Sequence, residues 1–215
     1  MNNVDSSSVI LLLALLSLAP IIFVLTTCFI KISMVLILTR ESLGVQQIPP
    51  NIVIYGLSLI LSFYVMGPVY MSTYKQMSDD TTQHQLTPEN IIQDFKLAEP
   101  TLQKFLSTHS SQNEKAFFYK SLQQFWGKDM LGDITQENLI ITIPAFVVDE
   151  LTKAFKIGFL IYLPSVIIDI IVSNILMAMG MMMMSPVTIS LPIKLLLFIS
   201  VDGWSRLIHL LLGSY

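Results

Sequence analysis

Four long hydrophobic stretches constrain the fold of this chain more than any other feature of its sequence. They cover residues 9–39, 52–74, 157–184 and 191–212. Each is at least as long as the ~20-residue apolar helix that crosses the hydrocarbon core of a bilayer, and none shows the strict alternation typical of a strand. The first stretch is longer than one span requires, and we expect Pro20 to bend it. The sequence therefore predicts an all-α membrane protein.

The composition of the chain supports this class. Of the 215 residues, 53% are hydrophobic and only 13% are charged, and the mean hydropathy is +0.67, which lies outside the usual balance of soluble domains. The net charge of −3 and the lack of a basic run give no electrostatic basis for binding nucleic acid. The residues before the first stretch include no Lys or Arg, so we expect a retained anchor rather than a cleaved signal peptide.

A polar segment separates the second stretch from the third and shows the start and stop signals of short helices. Thr87 would cap a helix that begins at Pro88, and Pro100 would begin a second one. A third helix would open at Asn113 and end at Gly127. We therefore expect a small helical domain outside the bilayer.

These features together predict three parts of the chain. Two long hydrophobic hairpins flank the helical domain, and the C-terminal hairpin carries a methionine-rich loop. The parts are an N-terminal hydrophobic helical hairpin over residues 1–77, a helical extracytoplasmic domain over 78–143, and a C-terminal hydrophobic hairpin over 144–215.

The distribution of cations does not give one consistent orientation in a membrane. Lys31 and Arg40 mark the loop at 40–51 as cytoplasmic, which would place the polar helical domain outside. Lys153 and Lys156, however, precede the third stretch on that same outer side. The charge rule for conventional spanning helices is therefore poorly obeyed.

The sequence does not indicate enzyme chemistry. His84, His109 and His209 are scattered and lie near no cysteine or carboxylate at metal-ligand spacing. Cys28 lies in an apolar run, where a single thiol is typical of packing. Since no phosphate loop, nucleophile elbow or zinc helix occurs, we expect no catalytic residue, no metal and no cofactor.

Charged residues within apolar surroundings are the most informative polar positions. Glu150 flanks an apolar face of a predicted helix that begins at Pro144, and Lys194 stands alone in "LPIKLLLFIS". A charge in such surroundings is costly unless it is paired, so we expect an ion pair between Glu150 and Lys194, within one chain or between copies. The alternative is that each side chain reaches a membrane interface separately. Asp202 and Arg206, four residues apart, would form a local pair.

Two segments carry a resemblance to a known family. "PAFVVDELTKAFKIGF" and "PIKLLLFISVDGW" resemble the two signatures of the FliP/SctR family, the export-gate proteins of bacterial flagella and virulence type III secretion systems. The chain departs from the family at Asp149, where a small hydroxyl residue is commoner. The positions that match the signatures are Pro144, Ala145, Phe146, Glu150, Ala154, Phe155, Gly158, Phe159, Pro192, Lys194, Asp202, Gly203 and Trp204.

The resemblance implies a function and a set of partners. Family members form a homopentamer, joined by small SctS-like and SctT-like membrane proteins, in a helical assembly at the bacterial inner membrane and raised toward the periplasm. Unfolded substrate proteins pass through its central pore, lipid surrounds it, and no enzyme activity is implied. An alternative from the residues alone is a proton-coupled secondary transporter, with Glu150 or Asp169 as the proton site and the segment broken near Pro186.

The methionine-rich run matches the gate of that family. Six of the eight positions from Met177 to Met184 are methionine, with Gly180 supplying backbone freedom and Pro186 ending the helix. The resemblance implies that Met181, Met182, Met183 and Met184 form a gasket that closes the pore. Methionine is flexible and apolar, so a ring of such side chains would exclude water and ions and still yield to a polypeptide of any sequence.

Overall fold

The computed structural model describes residues 6–45, 47–78, 88–127, 132, 134–181 and 183–215. Over these residues the chain forms eight helices, and none of the described backbone is in a strand. This confirms the all-α prediction. The helices are α1 (Ser6–Thr26), α2 (Phe29–Ser42), α3 (Asn51–Ser78), α4 (Pro88–His109), α5 (Gln112–Trp126), α6 (Leu139–Ala178), α7 (Pro186–Ser200) and α8 (Gly203–Leu212).

The hydrophobic stretches appear as helices long enough to cross a bilayer. Within the described ranges, α3 and α6 are each long and apolar enough to cross a bilayer. The pairs α1–α2 and α7–α8 are long and apolar enough when each pair is taken as one broken segment. The four predicted hydrophobic stretches are therefore helical over the described residues, two as continuous and two as interrupted segments.

The first interruption lies beyond Pro20, between α1 and α2, and the bend expected at Pro20 stays a prediction. Pro20 lies inside α1, which continues to Thr26. The hydroxyls of Thr26 and Thr27 donate to the carbonyl oxygens of Ile22 and Phe23 at 2.7 and 2.8 Å. Such bonds draw a carbonyl away from the helical ladder and bend helices, so the two threonines mark the break.

Over its described residues, the polar segment forms two helices, α4 and α5, where three were expected. α4 begins at Pro88, as predicted, although the expected cap Thr87 lies outside the described residues. It continues through Pro100, so the prediction of a helix start there was wrong. Proline removes one hydrogen bond from a helix interior, but the apolar face of α4 continues beyond it to the fully buried Leu106. Packing of this face outweighs the lost bond.

α5 lies close to the position predicted for it. It is capped by Ser111, whose hydroxyl oxygen accepts the backbone N–H of Glu114 at 3.2 Å. The helix ends at Trp126, before Gly127 in the left-handed region at φ 75°. The predicted stop at Gly127 is confirmed, and the predicted opening at Asn113 was two residues late.

α6 begins earlier than the sequence indicated. The predicted start was Pro144, whereas the helix begins at Leu139. Asn138 caps it, because its side-chain oxygen accepts the N–H of Ile140 at 3.1 Å and its carbonyl accepts the N–H of Ile141 at 2.9 Å. Pro144 therefore lies inside the helix.

The described residues group into two compact units. The first comprises those of Met1–Cys28 and Met66–Glu150, and the second comprises Phe29–Val65 and Leu151–Tyr215. α3 and α6 are each divided between the units, with one end of the helix in each unit. These units reflect packing, whereas the predicted three-part division reflects hydropathy, so that division stays a prediction.

Candidate functional site

The methionine loop begins where a glycine ends α6. Gly180 has φ +73°, which only glycine adopts at little cost. Its N–H donates to the carbonyl of Met177, and the N–H of Met181 donates to the carbonyl of Leu176, both at 3.0 Å. This pair of bonds is a Schellman motif, which satisfies carbonyls at a helix end. The backbone of the loop therefore leaves α6 in a defined direction.

The loop ends where a proline begins α7. Pro186 occupies the first turn of α7 after Ser185 in an extended conformation. The prediction that Pro186 ends the preceding helix was wrong. A proline is well placed at a helix start because the N–H that it lacks would have no partner there.

The described methionines of the loop are exposed. Met183 is fully exposed, and Met181 and Met184 each expose about two-fifths of their surface. With Gly180 they line an open pocket of about 410 Å³, while Met182 lies outside the described residues. Apolar side chains grouped at the tip of a hairpin form a surface that other apolar groups can cover.

A polar contact joins the two arms of the hairpin, and we call it the arm clamp. The Lys194 ammonium on α7 donates to Asp169 Oδ2 on α6 at 2.6 Å, and the Ser190 hydroxyl donates to Asp169 Oδ1 at 2.6 Å. Ser190 and Lys194 are buried, whereas Asp169 is partly exposed. Pro192 lies between the two α7 residues, inside the helix.

The arm clamp gives Lys194 a partner other than the one expected from the sequence. Lys194 pairs with Asp169 of its own chain, and Glu150 is fully buried on α6. The contact between Glu150 and Lys194 stays a prediction. Asp169 and Lys194 lie almost equally far from the centre of the methionine loop in sequence. Residues that face each other across a hairpin share this property. The equal spacing could therefore have identified the pair from the sequence.

The second signature forms a kink between α7 and α8. The helix axis bends by 61° at this point, and Asp202 adopts the left-handed conformation at φ 51°. A Cβ added to Gly203 would lie 2.4 Å from the ring of Phe198, which contacts Trp204 edge to face at 5.4 Å. The backbone N–H of Arg206 donates to the carbonyl of Asp202 at 3.1 Å, and the expected side-chain pair between these two residues stays a prediction.

The first signature packs α6 against the helical domain. Ala145 and Phe146 are fully buried, and the Phe146 ring lies 5.9 Å from that of Phe105 on α4. The carboxylate of Asp149 accepts the backbone N–H of Ser111. Asp149 therefore binds the start of α5, where a negative charge is favourable. This contact explains the residue at which the chain departs from the family pattern.

Further along α6, the signature divides into packed and exposed positions. A Cβ added to Gly158 would lie 2.3 Å from Cδ1 of Leu38 on α2, and Ala154 is fully buried. Small residues at these positions allow close approach of helices. Phe155 and Phe159 are exposed, so they contribute to an apolar face of the chain.

Across the described residues, no group of three His, Cys, Asp or Glu side chains could hold a metal ion. A second polar cluster does occur, around Lys115 and Glu137. The fully buried Lys115 donates to Glu137 Oε1 at 3.0 Å and to the Ser107 hydroxyl at 3.1 Å. Ser107 also donates to the other Glu137 oxygen, and Gln103 donates to the Glu137 carbonyl. The bond from Ser107 and then that from Lys115 lower the pKa of Glu137. Sequence reasoning missed this cluster.

These features define a class of protein: an all-α membrane protein whose interrupted hydrophobic hairpin presents an exposed methionine loop on two clamped arms. The model of the FliP family matches residues 12–211. The chain therefore belongs to the FliP family. This confirms the resemblance inferred from the two signatures.

The chain is similar over nearly its whole length to proteins with export-related names. It is 48% identical to "Yop proteins translocation protein R" of Yersinia pestis, over 98% of this chain and 97% of that one. It is 41% identical to "Harpin secretion protein HrcR" of Erwinia amylovora, over 98% and 97%. It is 42% identical to "Virulence protein YscR" of Salmonella typhimurium, over 95% and 94%.

Proposed function

We propose that this chain is a pore-forming and scaffold subunit of the export gate of a type III secretion system in the bacterial inner membrane. Membership of the FliP family supports a role in protein export, and relatives named for translocation and secretion match the whole chain. The role is structural: the chain binds and positions a pathway for other proteins.

The exposed methionine loop is the observation that most supports a pore-forming role. One chain presents Met181, Met183 and Met184 at the tip of a hairpin, where no described side chain covers them fully. Several copies arranged around an axis would bring these loops together and bury the methionines against each other. A constriction of apolar side chains excludes water and ions. The flexible thioether side chains would also repack around an extended polypeptide without specific hydrogen bonds, which suits unfolded substrates.

The exposed face of α6 supports assembly. Phe155, Phe159, Leu160, Ile167 and Ile171 are exposed along this helix. Lipid, or further subunits, must cover such a face because continuous apolar surface is unfavourable in water. We propose five copies, joined by small SctS-like and SctT-like membrane proteins and raised toward the periplasm. A contact between Glu150 and Lys194, within one chain or between copies, would add to the bond that Lys194 makes with Asp169.

The native mass of the detergent-extracted complex tests this proposal. We expect a defined oligomer of about five 24.2 kDa chains together with the two small hydrophobic partners when all three are expressed. A chain that purifies alone and moves a small solute in response to a proton gradient would instead be a secondary transporter with Glu150 or Asp169 as its proton site. That result would contradict the export-gate assignment.

A further inference from the structure

The arm clamp holds α6 and α7 at one point along the methionine hairpin. Ser190 and Lys194 are one helical turn apart, so they lie on the same face of α7 and bind the two oxygens of one carboxylate. Two bonds to one group restrict both the separation of the arms and the rotation of α7 about its axis. At a rise of about 1.5 Å per residue, Asp169 lies about 14 Å from the end of α6, and Ser190 and Lys194 lie about 6 and about 12 Å from the start of α7.

An open pocket of about 430 Å³ separates α6 from the start of α7 on the loop side of the clamp. Part of its lining is polar. The lining residues are Val166, Asp169, Ile170, Ser173, Asn174 and Pro186. Interdigitated apolar side chains therefore do not fill this space, and the clamp is a contact that holds the arms beside it.

We propose that the arm clamp sets the resting closure of the methionine loop, with Asp169 and Ser190 as positioning residues and Lys194 as the cation that completes the contact. This inference rests on the proposed function of the loop as a gate. The loop is continuous with both arms, so a change in their separation or rotation displaces its methionines. Weakening the clamp would widen a ring of loops while every methionine remains in place.

Ion leak through the assembled complex in cells tests this inference. Loss of membrane potential is measured and normalised to the amount of assembled complex. Asp169→Asn removes the charge and keeps the side-chain shape, and we expect its leak to exceed that of the parent by about tenfold, the effect of losing one charge-assisted hydrogen bond. Ser190→Ala should give a smaller rise.

Two further variants separate clamp function from general disturbance. Ser200→Ala is the matched control, because the Ser200 hydroxyl on the same helix donates only to the Leu196 carbonyl among described groups, and its leak should equal that of the parent. The double variant Asp169→Lys with Lys194→Asp restores opposite charges, and we expect it to reduce the leak toward the parental value.

Each outcome supports or overturns the inference. An Asp169→Asn complex that assembles and is as tight to ions as the parent overturns it. If Asp169→Asn does not assemble, the double variant decides: a tight assembled complex supports the clamp, and a leaking or unassembled one overturns it. Alanine at all four positions 181–184 provides the reference. If the alanine variant leaks and the Asp169→Asn complex is tight, only the clamp is rejected. If the alanine variant is also tight, the proposed gate is rejected.

Discussion

Two lysine–carboxylate–serine clusters, one in each compact unit, have the same chemistry and different surroundings. Lys115 and Lys194 are both buried, with 0% and 6% of their side chains exposed. Their carboxylates, Glu137 and Asp169, expose 49% and 38%. In each cluster a serine hydroxyl donates to the carboxylate oxygen that the lysine does not bind.

The difference lies in what each cluster holds in place. Glu137 lies in a polar connection before α6, and Gln103 binds its backbone as well. Asp169 and Lys194 lie on two apolar helices, beside a pocket that no described side chain fills. Loss of Lys115 would leave Glu137 with water and its remaining bonds, whereas loss of Lys194 would leave the carboxylate of Asp169 beside apolar side chains. We therefore expect the loss to be tolerated better in the polar unit than in the hairpin.

The largest expected difference comes from removing each lysine charge. Lys194→Met should destabilise the protein by about 2 kcal/mol, because it leaves the partly exposed carboxylate of Asp169 without its charged partner beside apolar side chains. Lys115→Met should cost about 1 kcal/mol, since Glu137 faces solvent and methionine retains the apolar part of the lysine. Thermal unfolding of the two variants in detergent measures both. Equal losses would show that the surroundings do not matter.

Close packing in the apolar unit gives the next effect. Gly158→Ala would place a Cβ 2.3 Å from Leu38, and such overpacking costs about 1 to 3 kcal/mol. Gly56→Ala on α3 is the matched control, because nothing lies within 4 Å of the added carbon. The control should be neutral or stabilising, as alanine favours helix more than glycine. If both variants unfold at the parental temperature, the close approach of α2 and α6 is not required.

The pH dependence of the polar cluster should be confined to acid conditions. Hydrogen bonds from Ser107 and Lys115 lower the pKa of Glu137, so the ionised form is favoured in the folded state. Its contribution is present above the unfolded pKa and is lost as pH falls through the folded pKa, below about pH 4. Unfolding temperature against pH should therefore drop more steeply on the acid side in the parent than in Glu137→Gln. Identical slopes would contradict this assignment.

The smallest effect is expected at the residue where the chain departs from its family. Asp149→Ala removes the acceptor for the Ser111 N–H and should cost about 1 kcal/mol, as loss of a helix cap does. Asp149→Ser restores the hydroxyl commoner in the family and should recover part of that loss. Hydrogen exchange at the first turn of α5 reports the change directly. Unchanged exchange in Asp149→Ala would mean that this carboxylate does not support α5.

Local sequence signals predicted the helices well because they depend on neighbouring residues. Pro88 and Gly127 mark helix ends as expected, and the four apolar stretches are helical. Pro100 and Pro186 were misread because a proline signal alone does not decide between the interior, the end and the start of a helix. Packing and capping made that choice.

Contacts between distant residues could not be predicted in the same way. The partner of Lys194 depends on how α6 and α7 face each other, and Glu150 and Asp169 are both carboxylates in apolar surroundings. The pair of Lys115 and Glu137 could not be predicted, since the sequence does not show that the lysine is buried. The exposed methionine loop was predictable because composition and position both marked it.

The membrane potential of cells that express the chain with alanine at positions 181–184 tests the central claim most directly. Alanine removes side-chain volume without adding charge, so assembly should persist, the constriction should widen, and small ions should cross the membrane. Protein export itself is expected to continue through the wider channel. We predict a clear loss of membrane potential relative to cells with an equal amount of the assembled parent complex. An assembled alanine complex as tight to ions as the parent would show that the methionines serve packing and that the barrier lies elsewhere.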